Sequence, residues 1–303
     1  MCRETPVGVE IAASDSAVLM RRKPTTVFYY SIIWHTPGSI IYAARRQKNA
    51  EFYGVQETIS SDEWQRYLRQ MTLPGWSLDG QALVRQASIL VVGAGGIGSG
   101  LLPYLAGAGV GRIGIVDGDR VENTNLHRQV LYTADDLGQL KAEAAARRLR
   151  ALNPHAEIQA HPVRLTVHNA ADLIGAYDFV ADGSDNTETR YLVNDACVGL
   201  GKTLIWGAAS GFQGQVTVFN GPGAVGGVYG PNLRDLIPEP PADAPDCVDA
   251  GVLGPVPGII GATMAAEVLK LMTGVGEPLS GRLLVFDARS MEWRILKFKS
   301  LAE

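Results

Sequence analysis

The 303-residue sequence predicts an α/β fold: a doubly wound half with a mostly parallel sheet, continuing into a mixed, antiparallel C-terminal half within a single large domain. Three observations predict it. From Ser60 onward, strand-like apolar runs alternate with helical patterns, as in a parallel sheet flanked by helices. The apolar run Ser88 to Val92 leads straight into the turn Gly93-Ala-Gly-Gly-Ile-Gly98 and an Ala/Leu/Gly helix to about Ala108. Beyond Gly207 the apolar period becomes two along Gln213 to Asn220, so the second half is mixed rather than parallel.

Residues 1–59 read as an N-terminal extension expected to be poorly ordered, the alternative being a short hairpin that docks on the main domain. Their charge sets them apart, since residues 1–50 carry a net +4 and the rest a net −8. The domain proper runs from 60 to 299. In its first half, 60–207, Arg112 to Asp117 is the strand after the first helix, and it ends in an acid. A helix follows from Gly138 to Leu152, with Leu140, Ala144, Ala145, Leu149 and Leu152 on one face. Strands are expected over Glu157–Ala160 and Asp178–Ala181, around a helix at Asn169–Gly175. A helix at Thr187–Leu200 and a strand at Lys202–Gly207 complete this half.

The second half, 208–299, opens on Gln213–Asn220, whose alternation predicts a half-exposed strand. The crossover loop 221–246 holds six Pro and five Gly, which argues against a helix or a central strand there. A loop of that length inside a compact domain is expected to be a lid, a binding loop or a disordered crossover. An apolar helix, Gly258–Met272, and two strands, Arg282–Phe286 and Met291–Phe298, close the chain.

Composition excludes several classes. A net charge of −4 and a pI near 5.8 give no ground for nucleic acid as the main partner. Val27 to Ala44 is apolar but interrupted by His35, Thr36, Pro37 and Gly38, short of the about 20 apolar residues of a membrane span. As a signal peptide it starts too late and lacks a clean cleavage site, so neither targeting nor a membrane partner is expected. Three cysteines, Cys2, Cys197 and Cys247, are too few for a disulfide framework and suit a reducing, cytoplasmic compartment. With no C-x-x-C pair, the common four-thiolate zinc site is ruled out.

The chemistry concentrates around the glycine-rich turn. G-x-G-x-x-G between a strand and a helix, with Asp117 19 residues past its last glycine, is a nucleotide fingerprint. Glycines let backbone approach a phosphate, the helix N-terminus supplies N–H groups, and a carboxylate accepts ribose hydroxyls. The fingerprint alone does not separate NAD from ATP. Downstream, Lys141 lies 13 residues past Arg128, in the first turn of a helix. A cation pair converging on one loop suits a triphosphate and is surplus for a dinucleotide. Asp182-Gly-Ser-Asp185-Asn186 falls at the carboxyl end of the sheet. Asp185 there reads as a Mg2+ ligand facing phosphate oxygens or as a helix N-cap, with Glu188 completing a capping box. Cys197, on the apolar side of a helix, reads as a buried small hydrophobe.

These residues belong to an ordered set that resembles the ThiF/MoeB/HesA family, relatives of the ubiquitin-activating enzymes that adenylate the C-terminal glycine of small ubiquitin-like sulfur carriers. The set covers about Glu63 to Lys297. It includes Arg66-Tyr-Leu-Arg69-Gln70, the Gly93–Gly98 turn, Asp117-Gly-Asp119, Asn125-Leu-His-Arg128-Gln129, Gly138-Gln-Leu-Lys141, Asp185-Asn-Thr-Glu-Thr-Arg190 and Cys247-Val-Asp-Ala-Gly251. The resemblance implies a Rossmann-like ATP-binding half. Gly93, Gly95, Gly96 and Gly98 would cradle the nucleotide and Asp117 would take the ribose. Asn125, Arg128 and Lys141 would hold the phosphates, and Asp185 the Mg2+, with Asn186 beside it in the nucleotide site. Arg69 would reach the ATP of a second subunit, implying a homodimer; from its spacing, Arg66 and Arg69 are equally a solvated helix face.

Two departures from the family pattern stand out. Many relatives carry two zinc-binding C-x-x-C pairs; here the first place reads Gly227-Val-Tyr-Gly230 and the second is absent, so the resemblance predicts a zinc-free protein. Cys247 matches a cysteine that in some relatives links covalently to the carrier and in others is dispensable, and a sulfur donor would be a separate protein. The implied activity is ATP-dependent adenylation of a carrier ending in Gly-Gly, for thiazole or molybdopterin synthesis. The same fold acting on a peptide C-terminus or a tRNA base, an NAD-dependent oxidoreductase, and a binding protein without turnover are the alternatives.

Overall fold

The computed structural model describes residues 29–36, 39–45, 58–221, 230–240 and 251–300. The chain forms two compact units, Met1–Arg69 and Gln70–Glu303. In the first, β1 (Tyr29–Thr36) and β2 (Ser39–Arg45) pair antiparallel with Trp34 opposite Ile40, and β3 (Thr58–Ser60) joins β2. These strands occupy the apolar stretch for which a hairpin was the alternative reading; residues 1–28 and 46–57 lie outside the described residues. Helix α1 (Ser61–Met71) starts in a capping box, in which Glu63 N donates to Ser60 Oγ at 3.2 Å and Ser60 N to Glu63 Oε2 at 3.1 Å.

The second unit is built on an eight-stranded sheet. Its strands are β4 (Ser88–Val92), β5 (Arg112–Val116), β6 (Glu157–His161), β7 (Phe179–Asp182), β8 (Thr203–Ser210), β9 (Gln213–Phe219), β10 (Arg282–Asp287) and β11 (Glu292–Lys297). The spatial order is β11-β10-β9-β8-β7-β4-β5-β6. The run from β6 to β8 is parallel and the run from β8 to β11 antiparallel, as the change of period predicts. The chain moves outward from β4 to β5 and β6, then returns to β7 on β4's other side. That reversal is the switch point where doubly wound sheets open a crevice at their carboxyl ends.

Helices α2 (Ser77–Gln86), α3 (Gly96–Ala108), α4 (Lys141–Leu152) and α8 (Pro255–Thr273) pack together and on the sheet, and α5 (Ala170–Gly175) packs on α6 (Thr187–Leu200). Helices α3 and α8 cross backbone to backbone, for a Cβ at Gly261 would sit 2.2 Å from Ile97 O and one at Gly100 2.6 Å from Gly258 O. Among the described residues, α8 is the one helix long and apolar enough to cross a membrane, and here it packs on α3, β8 and β9. Cys197 is fully buried in the apolar cluster with Tyr191, Trp206 and Phe219, as read from its helix face.

Four local readings need correction. The helix expected from Gly138 begins at Lys141, because Gly138 has φ +79 and Leu140 is extended at ψ 128. Its last residue, Leu152, is exposed rather than on the core face. Strand β9 is buried along Val216 to Phe219, since as an inner strand it is covered where its sequence alternates. Among the described residues of the loop 221–246 a helical turn forms, α7 (Leu233–Leu236), because Asn232 and Asp235 make a capping box and Asn194 Oδ1 accepts from Leu233 N at 2.9 Å.

Candidate nucleotide site

The carboxyl ends of β4, β5 and β7 and the loops leaving them gather most of the expected site residues. Gly93 ends β4 with φ +89, and its N–H donates to Val116 O at 2.9 Å, tying the turn to β5. A Cβ there would lie 3.1 Å from Gly183 O, across the switch point. A Cβ at Gly98 would lie 2.4 Å from Gly93 O, so this position must be glycine for α3 to leave the strand at its angle. Gly96 sits against Pro257. Gly95 differs: a Cβ there would meet just Gln129 Nε2, at 3.6 Å, so of the four glycines its backbone is the least crowded. The first-turn N–H groups of α3 have no partner within the helix, and together they make a cradle for an anionic oxygen.

Asp117 follows β5 beside this cradle. Its Oδ2 accepts from Ala94 N and its Oδ1 from Asp119 N, both at 2.8 Å. Burial lifts its carboxyl above the ordinary range, against the pull of Lys141 and the two N–H donors. Lys141, the first residue of α4, is 7% exposed, and its ammonium lies 3.2 Å from Asp119 Oδ2. Arg164 reaches the other oxygen of Asp119 at 3.6 Å.

On the cradle's other flank, a 3-10 turn at Asn123–Asn125 carries the second cation. Asn125 is buried; its Oδ1 accepts from Glu122 N, and its carbonyl accepts from the amides of Arg128 and Gln129. Asn125 therefore fixes the bend that presents Arg128. The Arg128 stem lies 3.6 Å from where a Gly96 Cβ would be, and its Nη1 donates to Thr124 O at 3.0 Å. Arg128 thus lies against the glycine turn, and Lys141 is tied to it through Asp119 and Asp117.

After β7, Asp185 is exposed on the turn into α6. The N-cap is Asn186 rather than Asp185, since Asn186 Oδ1 accepts from Thr189 N at 2.9 Å. The capping reading for Asp185 is thereby corrected, and Asn186 has its amide oxygen occupied in the cap. Arg190 donates to Ser184 O at 3.0 Å and lies over the Trp206 ring, which fixes the turn from below. Asp182 is fully buried and its Oδ1 accepts from Ser184 N at 2.8 Å, while its Oδ2 and the Ser184 hydroxyl have no hydrogen-bond partner. Burial pushes the Asp182 carboxyl up as well.

Arg69 lies in the last turn of α1, and both it and Arg66 are exposed. Cys247 and Gly227 to Tyr229 lie outside the described residues. Among the described residues no group of three or more His, Cys, Asp or Glu is placed to hold a metal ion. Two residues of the site are not marked by the sequence: Asp119 lies in the Asp117-Gly-Asp119 motif with no role of its own there, and Arg164 carries no motif signal.

Fold and site together define a class: a doubly wound nucleotide-binding domain with an antiparallel extension and two cations beside its glycine turn. Within that class, the chain belongs to the ThiF family, whose model matches residues 67–302. It is 52% identical over 239 residues to the sulfur carrier protein adenylyltransferase of Thermus thermophilus, covering 78% of this chain and 88% of that one. It is 45% identical to the probable adenylyltransferase/sulfurtransferase MoeZ of Mycobacterium tuberculosis, over 80% of this chain and 62% of that one. The match to the adenylyltransferase and sulfurtransferase MOCS3 of Drosophila grimshawi, 46% identical, spans 54% of that protein. The fold is also that of E. coli MccB solved with ATP, with a TM-score of 0.66 at 23% identity over 79% of this chain and 72% of that one.

Proposed function

We propose that this protein is an ATP-dependent adenylyltransferase that activates the C-terminal glycine carboxylate of a small ubiquitin-like sulfur carrier, of the thiazole or molybdopterin kind. One observation carries the reading: Arg128 lies against a glycine turn whose least crowded backbone is at Gly95, and Lys141 pairs with Asp119 on the loop whose Asp117 holds that turn. Such a cradle fits a triphosphate, whose charge exceeds what a helix N-terminus balances. The name of the Thermus relative, at 52% identity, supports the choice of substrate.

In this reaction a carboxylate oxygen of the carrier attacks the α-phosphorus. The bond from that phosphorus to the oxygen bridging to the β-phosphate breaks, and pyrophosphate leaves with the electron pair, so no protein nucleophile or proton transfer is required. The protein's share is positioning and charge. The N–H groups of Gly96 to Gly98 and the side chains of Arg128 and Lys141 stabilise charge on the phosphates, and Asp117 accepts from the ribose. Asn125 positions Arg128. Asp185, a hard oxygen donor exposed at the carboxyl end of the sheet, suits Mg2+, which when bound adds positive charge beside the phosphates. Arg69 serves the nucleotide of a second copy in a homodimer. Cys247 is the candidate thiol for any covalent link to the carrier. Thermal unfolding tests the nucleotide: ATP with Mg2+ should raise the melting temperature and NAD should not. Stabilisation by NAD alone would turn the reading toward an oxidoreductase.

A further inference from the structure

Behind the glycine turn, five hydrogen bonds close a ring through five residues. Ala94 N donates to Asp117 Oδ2 at 2.8 Å, and Asp119 N to Asp117 Oδ1 at 2.8 Å. Lys141 N donates to Asp119 O at 2.9 Å. The Tyr132 hydroxyl closes the circuit by donating to Ala94 O at 2.8 Å and to Lys141 O at 3.2 Å, one phenolic proton shared by two carbonyls. Four of the five residues lie on the glycine turn, the Asp117-Gly-Asp119 loop or the start of α4. Tyr132 lies on none of them; its hydroxyl bridges the glycine turn and the Lys141 helix directly, while the other half of the ring connects them through the Asp117-Gly-Asp119 loop.

The phenol is well suited to that task. Tyr132 is 5% exposed, and burial, with Asp117 and Asp136 nearby, pushes its hydroxyl far above the ordinary range. It therefore stays a neutral donor at any working pH. Its two acceptors are not equivalent. Lys141 opens a helix, so its carbonyl also receives an amide from the next turn. Ala94 is completely buried in a non-helical turn, and its carbonyl depends on the phenol. The two peptide groups on either side of the Ala94 Cα are thus each held, the N–H by Asp117 and the C=O by Tyr132.

We propose that Tyr132 is a positioning residue that couples the glycine turn to Lys141, so that the turn's N–H groups and the ammonium meet one nucleotide at a fixed separation. The proposal rests on the ATP reading above. It extends that reading to a residue that touches no substrate.

Tyr132→Phe keeps the ring and its packing and removes one oxygen. In the free, full-length protein, hydrogen exchange at the Ala94 amide should speed up about tenfold while amides inside β4 and β5 keep their rates, the size expected for losing one buried hydrogen bond. Unchanged exchange at Ala94 overturns the clamp whatever the substrate is. With ATP as the probe, Tyr132→Phe should weaken binding about tenfold when Lys141 is intact and less than about twofold in a Lys141→Met background. Equal losses in both backgrounds mean that Tyr132 supports the fold without acting through Lys141, and overturn the coupling. If the wild-type chain binds no ATP, the function reading fails, and the exchange experiment alone decides the clamp.

Discussion

Replacing Lys141 with Met separates what the lysine does for the fold from what it does for the reaction. The side chain is 7% exposed, and its stem packs at the first turn of α4, where Met keeps the volume and is a good helix former. Its one ion pair, 3.2 Å to Asp119, has a partner whose side chain is 53% exposed, and Arg164 remains beside that partner at 3.6 Å. A pair so open to solvent contributes at most about 1 kcal/mol. On a unit of this size the melting temperature should fall by no more than about 2 to 4 °C. The reaction should suffer far more. Groups that stabilise developing charge in a water-poor site are typically worth about 2.7 to 4 kcal/mol, so carrier-dependent exchange of pyrophosphate into ATP should slow by roughly 10²- to 10³-fold. Both quantities are measured on one preparation, by thermal unfolding and by exchange at saturating carrier. Exchange within about threefold of wild type would refute the role given to Lys141, and a collapse in stability would show that the lysine is structural.

The same arithmetic gives Arg128→Ala a loss of about 10²-fold or more in exchange, and near-normal exchange would remove Arg128 from the site. Gly98→Ala places a Cβ 2.4 Å from Gly93 O, so it should lower stability by about 1 to 3 kcal/mol and abolish ATP-induced stabilisation; a variant still stabilised by ATP contradicts the cradle geometry. Asp182→Asn tests the buried carboxyl. Its folded value is raised by burial, so the proton it holds stabilises the fold fully below the unfolded value of 3.8, and that contribution is lost as pH rises through the folded value. The variant should therefore gain melting temperature over wild type at pH 8 and not at pH 3.5, and a gain independent of pH would refute the buried charge.

The parallel half of the fold was legible because β4, β5 and β8 are short apolar runs with glycine at one or both ends, and α6 was read to its full limits from Thr187 to Leu200. What sequence patterning misjudged depends on partners far along the chain. Strand β8 runs on to Ser210, three residues past the reading, because β9 folds back to pair with it. The helical turn in the crossover loop exists because Asn194 of α6 receives Leu233, a contact across 39 residues. The glycine turn and both cations were readable because charge and bare backbone leave motifs. Tyr132 was not, since a phenol that bridges two carbonyls has no spacing to declare it. Nor was the placing of the cap at Asn186 rather than Asp185, because two adjacent Asx residues before a helix cap it equally well on paper.

The most direct test of the account is to incubate the full chain with ATP, Mg2+ and a sulfur carrier ending in Gly-Gly, and to weigh the carrier. The carrier should return heavier by one adenylate, formed with release of pyrophosphate, and the gain should be lost in Lys141→Met. Carriers of both the thiazole and the molybdopterin kind returning unmodified, from a protein that binds ATP, would contradict it.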